Sequence, residues 1–389
     1  MAASNRQVGS VWPVIVVSRK AHAARPDPKR FIKYMRTKLF RGLALWTLIF
    51  SLTLPGAEMR VWAQTKDKQD KQQPQTPAET PGGFSISVTV PVVNVDVVVT
   101  DNNGNFLPGL KKENFRITED GTTQTITNFA PSDAPITIVL LLEFSKLGYQ
   151  VFTYNARNWS AAFLSNLKPN DWVALETFNM RPNVEVDFTH NRDEVMQGLY
   201  QLIFPPFSES NLFDALADVL DRIKDAKGKK SVLVLASGID TFSKMNLDQV
   251  MKRIRETDAT IFTVGVGEQF FLRADVGGGL GPGGELTYLQ AQNQLKTFAA
   301  MTGGRSWLPR FEGEIPSIMQ DVAASLRNQY SLAYTPSNGT LDGKYRKIKV
   351  ELVAPDGGPL TVLDQKGKKV KFQVYARQGY TAPKSNVDK

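Results

Sequence analysis

Along residues 84–99 apolar and polar positions alternate, with Phe84, Ile86, Val88 and Val90, then past Pro91 Val93, Val95, Val97 and Val99, on the apolar beat. A period of two places every second side chain on one face, which predicts β-strand. Asn103-Gly104 and Asp120-Gly121 are turn dipeptides, so residues 84–132 read as an antiparallel β segment. From about Pro135 the rhythm changes. Ile136 to Leu142 is an unbroken run dominated by apolar residues, and Ser231 to Ala236 and Thr260 to Val266 repeat it. Such runs mark strands covered on both faces of a parallel sheet. Between them Leu212, Leu216, Val219, Leu220 and Ile223 recur on one helical face, and Asn246-Leu247-Asp248 opens another helix carrying Val250 and Ile254. This alternation predicts an α/β fold, a doubly wound, mostly parallel Rossmann-like sheet, over residues 133–327.

After a helix near Ile315 to Leu326 the period returns to two, with Ser331 and Ala333, then Ile348, Val350 and Leu352, then Val370, Phe372 and Val374. Residues 328–381 are therefore β again, and 382–389 form a tail. The reading favours pairing of the two flanking segments into one β-sandwich-like module, because a short isolated sheet buries too little to stand alone. The alternative is two separate β extensions packed on the α/β domain.

Composition alters the picture mainly at the N-terminus. The 389-residue chain carries 47 Lys+Arg against 38 Asp+Glu, but residues 1–63 hold 11 of the basic and two of the acidic residues. The remaining chain has 36 of each and offers no basic surface for nucleic acid. Arg36, Lys38 and Arg41 precede an apolar run from Gly42 to Leu54, and small residues at Val61 and Ala63 fit the positions before a cleavage site. Residues 1–63 thus read as a secretory leader, with a more typical start at Met35 and cleavage after Ala63. The alternative is an uncleaved anchor, the one route to a membrane. Export places the protein in the periplasm, on the outer surface or outside the cell. Residues 64–83, rich in Gln, Lys, Asp, Pro and Thr, read as a disordered linker. The chain has no Cys, which removes disulfides, thiolate metal sites, Cys nucleophiles and lipidated Cys.

In an open α/β sheet ligands bind beyond the carboxyl ends of the strands. Those positions are Glu143-Phe144-Ser145-Lys146-Leu147 and Ser237-Gly238-Ile239-Asp240-Thr241, joined by Ser208 to Leu216 at the start of the clearest helix. Together with Phe115 to Gly121, Phe262 to Gly267, Thr302-Gly303-Gly304-Arg305, Tyr330 to Pro336 and Ala376 to Tyr380, these stretches resemble the von Willebrand factor type A (VWA) domain, specifically the VWFA-related type described from Acidobacteria. The resemblance implies a divalent-cation adhesion site, built in the family from Asp-x-Ser-x-Ser, a Thr and an Asp. Here Glu143 stands for the first Asp, Ser145 keeps the first Ser, Leu147 replaces the second, Ser210 stands for Thr and Ser237 for the last Asp. Asp240 is a second carboxylate within reach by sequence. Two outcomes stay open: a Mg²⁺ or Mn²⁺ ion held by Glu143, Ser145, Ser210, Ser237 and Asp240, or a metal-free site in which these residues cap loops and helix starts.

The function that the resemblance implies is binding of a protein partner through the rim, with Phe144, Tyr149 and Phe207 as anchors and no cofactor beyond that cation. Two other classes are a structural envelope component and a hydrolase using Glu143 with Asp240. No Ser-His set converges, since His190 reads as part of a strand-to-helix turn. Gly277 to Gly284 lacks a phosphate loop's ending and reads as a connection. Trp159, Trp172 and Trp307 read as core.

Overall fold

The computed structural model describes residues 92–131, 134–145, 158–203, 209–266, 281–363 and 367–384, all within one compact unit, Phe84–Lys389. The leader and linker of the sequence reading lie outside the described residues.

A six-stranded sheet runs in the order β10 (Ser306–Trp307), β9 (Thr260–Gly265), β8 (Lys229–Ala236), β5 (Ile136–Glu143), β6 (Trp172–Phe178) and β7 (Pro182–Thr189). Every pairing is parallel except β6 with β7. All eight residues of β5 are buried, and its alternation divides them between two cores. Ile138, Leu140 and Leu142 pack with Trp159 and Phe163 of α1 (158–164), with Val195 and Leu199 of α2 (Arg192–Gln201), and with Ile318 and Val322 of α6 (Ile315–Arg327). Val139 and Leu141 face the other way, onto α3 (Leu212–Ile223), α4 (Leu247–Glu256) and α5 (Gly281–Thr302). The apolar stripe of α3 is what makes it a cover for this face. A capping box starts α4, with Gln249 N donating to Asn246 Oδ1 at 3.0 Å and Asn246 N to Gln249 Oε1 at 2.8 Å.

The strands before and after this sheet pair with one another. One antiparallel sheet has the order β15 (Phe372–Ala376), β1 (Val93–Asp101), β11 (Gln329–Tyr334), β4 (Ile126–Pro131); the other is β16 (Gly379–Thr381), β12 (Tyr345–Leu352), β2 (Phe115–Glu119), β3 (Thr122–Gln124). They share one core that includes Val95, Val97, Ile117, Tyr334 and Ile348. Asp120 (φ 47°) and Gly121 (φ 85°) form the two-residue turn between β2 and β3, where the strand twist calls for positive φ at both positions. Across this core the Glu119 carboxylate accepts from Tyr334 Oη at 2.7 Å and Tyr380 Oη at 3.1 Å.

Three sequence expectations change. Trp172 is 42% exposed, since it opens β6 at the sheet end, where its ring lies against His190. Residues 281–284 of the glycine-rich stretch form the first turn of α5 rather than a connection; the first N–H groups of a helix lack intrahelical partners anyway, so Pro282 costs little there. The strands β6, β7 and β10 are additional to the three read from the sequence.

Candidate functional site

The sheet switches direction at β5. The chain leaves it for β6 and β7 on one side, then returns to β8 and β9 on the other. A crevice opens at the carboxyl ends of strands at such a switch point. Because β5 and β8 are parallel and in register through Leu142 and Leu235, the residues that follow them come side by side.

Glu143 Oε1 accepts from Ser145 Oγ at 2.7 Å, and Glu143 Oε2 accepts from the Ser237 amide at 2.6 Å. Glu143, Ser145 and Ser210 are fully buried and Ser237 nearly so. Burial raises the Glu143 pKa, while bonds from Ser145, from the Ser237 amide and hydroxyl and from Ser210 act in the opposite sense. Ser210 Oγ is close enough to favour the carboxylate, but it completes no well-aligned hydrogen bond. The Ser210 backbone is held by the opposite loop: its N–H donates to Thr241 Oγ1 at 2.9 Å and its carbonyl accepts from Thr241 N and Phe242 N at 2.8 and 3.0 Å.

Asp240 faces elsewhere. Its Oδ1 accepts from Phe213 N at 3.1 Å and Ser243 Oγ at 2.5 Å, so it satisfies an orphan amide in the first turn of α3 and favours the positive end of that helix. Burial raises its pKa; the bonds from Ser243 and Phe213 oppose this. Asp214 fastens the same loop, accepting from Lys244 N and Met245 N, each at 2.9 Å. Gly238 (φ +83°) brings the loop against α5, where a Cβ would stand 2.6 Å from the Ala291 carbonyl oxygen.

This donor set does not fit Mg²⁺ or Mn²⁺. A hard divalent cation draws its affinity from charged oxygens. One carboxyl is present, burial disfavours its charge, and its two oxygens are engaged by Ser145 and Ser237. Among the described residues no group of three or more His, Asp or Glu is placed so that it could hold a metal ion. The proposed pairing of Glu143 with Asp240 as hydrolytic carboxylates also loses its geometry, since Asp240 is committed to α3 and Ser243.

Phe144 is not a surface anchor. Its side chain is 7% exposed, and its N–H extends the β5 pairing by donating to Phe178 O at 2.8 Å. Tyr149, Phe207, Lys146 and Leu147 lie outside the described residues. Among the described residues of this edge, Phe242 is an exposed aromatic, 48% accessible and carried next to Ser210. A lone Phe in the otherwise polar run Thr241 to Lys244 is the sequence signal for it. His190 lies away from this edge: its Nδ1 is 3.0 Å from the Asp171 carbonyl at the opposite end of β6.

Residues 137–274 match the von Willebrand factor type A domain. The chain thus carries a VWA domain, a class that is typically non-catalytic. Among solved structures it is similar to proximal thread matrix protein 1 from the mussel byssus, at 12% identity and a TM-score of 0.38, covering 50% of this chain and 49% of that one. It is also similar to a mutant of the PilB minor pilin from Streptococcus sanguinis, at 10% identity and a TM-score of 0.38, covering 51% and 63%. A third is conserved hypothetical protein BatB from Bacteroides thetaiotaomicron, at 11% identity and a TM-score of 0.34, covering 49% and 98%. The chain spans about half the length of the mussel protein. No curated protein matches it in sequence.

Proposed function

We propose that this protein is an exported, non-enzymatic binding module that engages a protein partner through the loops at the carboxyl edge of its VWA sheet, without a cation. VWA domains generally act in protein–protein interaction or adhesion. The observation that carries the metal-free version is the internal saturation of Glu143 by Ser145 and Ser237. With the carboxyl so engaged, partner binding rests on shape, hydrogen bonding and exposed side chains of the 237–246 loop, Phe242 foremost. The basic and apolar run from Arg36 to Ala63 supports export.

The test is partner capture by the immobilised mature chain from envelope and extracellular fractions, with and without EDTA. Retention of one species that survives chelation and falls at least fivefold with Phe242→Ser is the expected result. Release by EDTA, or indifference to Phe242, contradicts the proposal.

A further inference from the structure

At the other end of the sheet lies a second concave site. A cavity of about 440 Å³ opens between the amino ends of β8 and β9 and the outer face of the β1–β11 sheet. Period-two alternation explains its polarity. Val93, Val95 and Val97 point into the sandwich core, so Asn94 and Asp96 point out of it, toward Lys229, Lys230 and Thr260. Arg377, which follows β15, closes the wall.

Three cations meet two carboxylates here. Lys229 Nζ lies 3.3 Å from Asp96 Oδ1 and donates to Gln329 Oε1 at 2.9 Å, while Ser331 Oγ donates to Asp96 at 2.6 Å. Lys230 Nζ pairs with Asp258 Oδ2 at 2.8 Å. Arg377 donates to two backbone carbonyls, Thr257 O at 2.8 Å and Gly379 O at 3.1 Å, and among the described residues it forms no ion pair. With three cations against two carboxylates along its lining, the cavity carries one positive charge that its own carboxylates do not balance; burial lowers the pKa of Lys229 and Arg377, so an anion that restores the balance is favoured there.

We propose that this cavity binds a small hydroxylated monocarboxylic acid, of the size of a hexuronic acid. One excess positive charge matches one carboxylate. Asp96 and Asp258 repel a polyanion, Asp96 can accept hydrogen bonds from hydroxyl groups, and the volume falls in the range of small-molecule sites rather than of a single ion. The site is independent of the partner-binding rim, which lies at the opposite ends of the same strands.

The test is calorimetric titration of the mature chain with D-glucuronate, with D-glucose as the neutral analogue and inorganic phosphate as the simple anion. The expected result is saturable one-to-one binding of glucuronate, at least tenfold tighter than glucose or phosphate. Lys230→Gln removes a cation and leaves Asp258 without that partner, so affinity falls at least fivefold; Asp258→Asn removes a negative charge from the lining, so affinity rises. General damage to the fold cannot give opposite signs. Absence of glucuronate saturation, equal binding of glucose or of phosphate, or shifts of the same sign in the two variants each overturn the proposal.

Discussion

Glu143 and Ser237, ninety-four positions apart in the chain, are joined by a 2.6 Å hydrogen bond from the Ser237 amide to the Glu143 carboxyl. That bond clamps the tips of two parallel strands where a cation would otherwise be expected to organise the loops. A buried carboxyl with two donors is costly to remove, because the donors then lose their acceptor. Glu143→Ala should therefore destabilise the protein by about 2–4 kcal/mol, through the orphaned Ser237 amide and the vacated volume. Glu143→Gln keeps an acceptor for that amide and should cost less than about 1 kcal/mol. Urea unfolding monitored by tryptophan fluorescence measures both.

Acid should strengthen this fold over a defined window. Glu176 on β6 is fully buried, with Arg222 Nε 3.2 Å from its Oε1, and burial pushes its pKa up to about 7 from 4.5, against the Arg222 charge and helped by Asp218 and Asp187. The native state then keeps a proton that the unfolded chain releases above pH 4.5. Stability from this group is complete below that value and is lost as pH rises to about 7, with about 3 kcal/mol at stake. Glu143 and Asp240, also shifted upward by burial, slope the same way. Glu176→Gln should make the decline in the urea midpoint between pH 4.5 and 7.5 measurably shallower.

Asp240→Ala should cost about 1 kcal/mol as a lost helix cap. Hydrogen exchange locates the effect: amides at the start of α3, Phe213 above all, should exchange faster, while those of β5 keep their protection. Equal deprotection of β5 would assign Asp240 to the Glu143 cluster instead.

The pin between the two module sheets is a fourth stability test. Tyr334→Phe removes the shorter of the two bonds to the buried Glu119 carboxylate and should cost about 1–3 kcal/mol. Tyr380→Phe, at 3.1 Å, should cost less. A double-mutant cycle should show coupling, since the two hydroxyls serve one oxygen.

What the sequence disclosed follows from how strongly burial shapes it. β5 is apolar at nearly every position because both of its faces are covered, and α3 shows its stripe because only one side is. β6 hides its strand character behind Glu176 and Thr177, whose burial depends on partners in α3 and β7. β7 is an edge strand that does alternate, Val184, Val186 and Phe188 against Glu185, Asp187 and Thr189, but it lacks the unbroken apolar run by which the inner strands of this sheet are recognised. At the site, convergence of the strand tips follows from the strand rule. The direction of Asp240 does not, because it depends on a helix amide contributed by a segment twenty-seven residues away. Phe144 likewise is held by a backbone bond to Phe178, at the end of a strand that the pattern conceals.

The most direct test of the metal-free rim is a crystal structure of the mature protein grown in excess Mn²⁺ and recorded at the manganese absorption edge. No anomalous peak should stand between Glu143, Ser145 and Ser210, and Glu143 should remain bonded to Ser145 and Ser237. A peak there, liganded by the Ser145 and Ser210 hydroxyls with Glu143 swung away from the Ser237 amide, would contradict it.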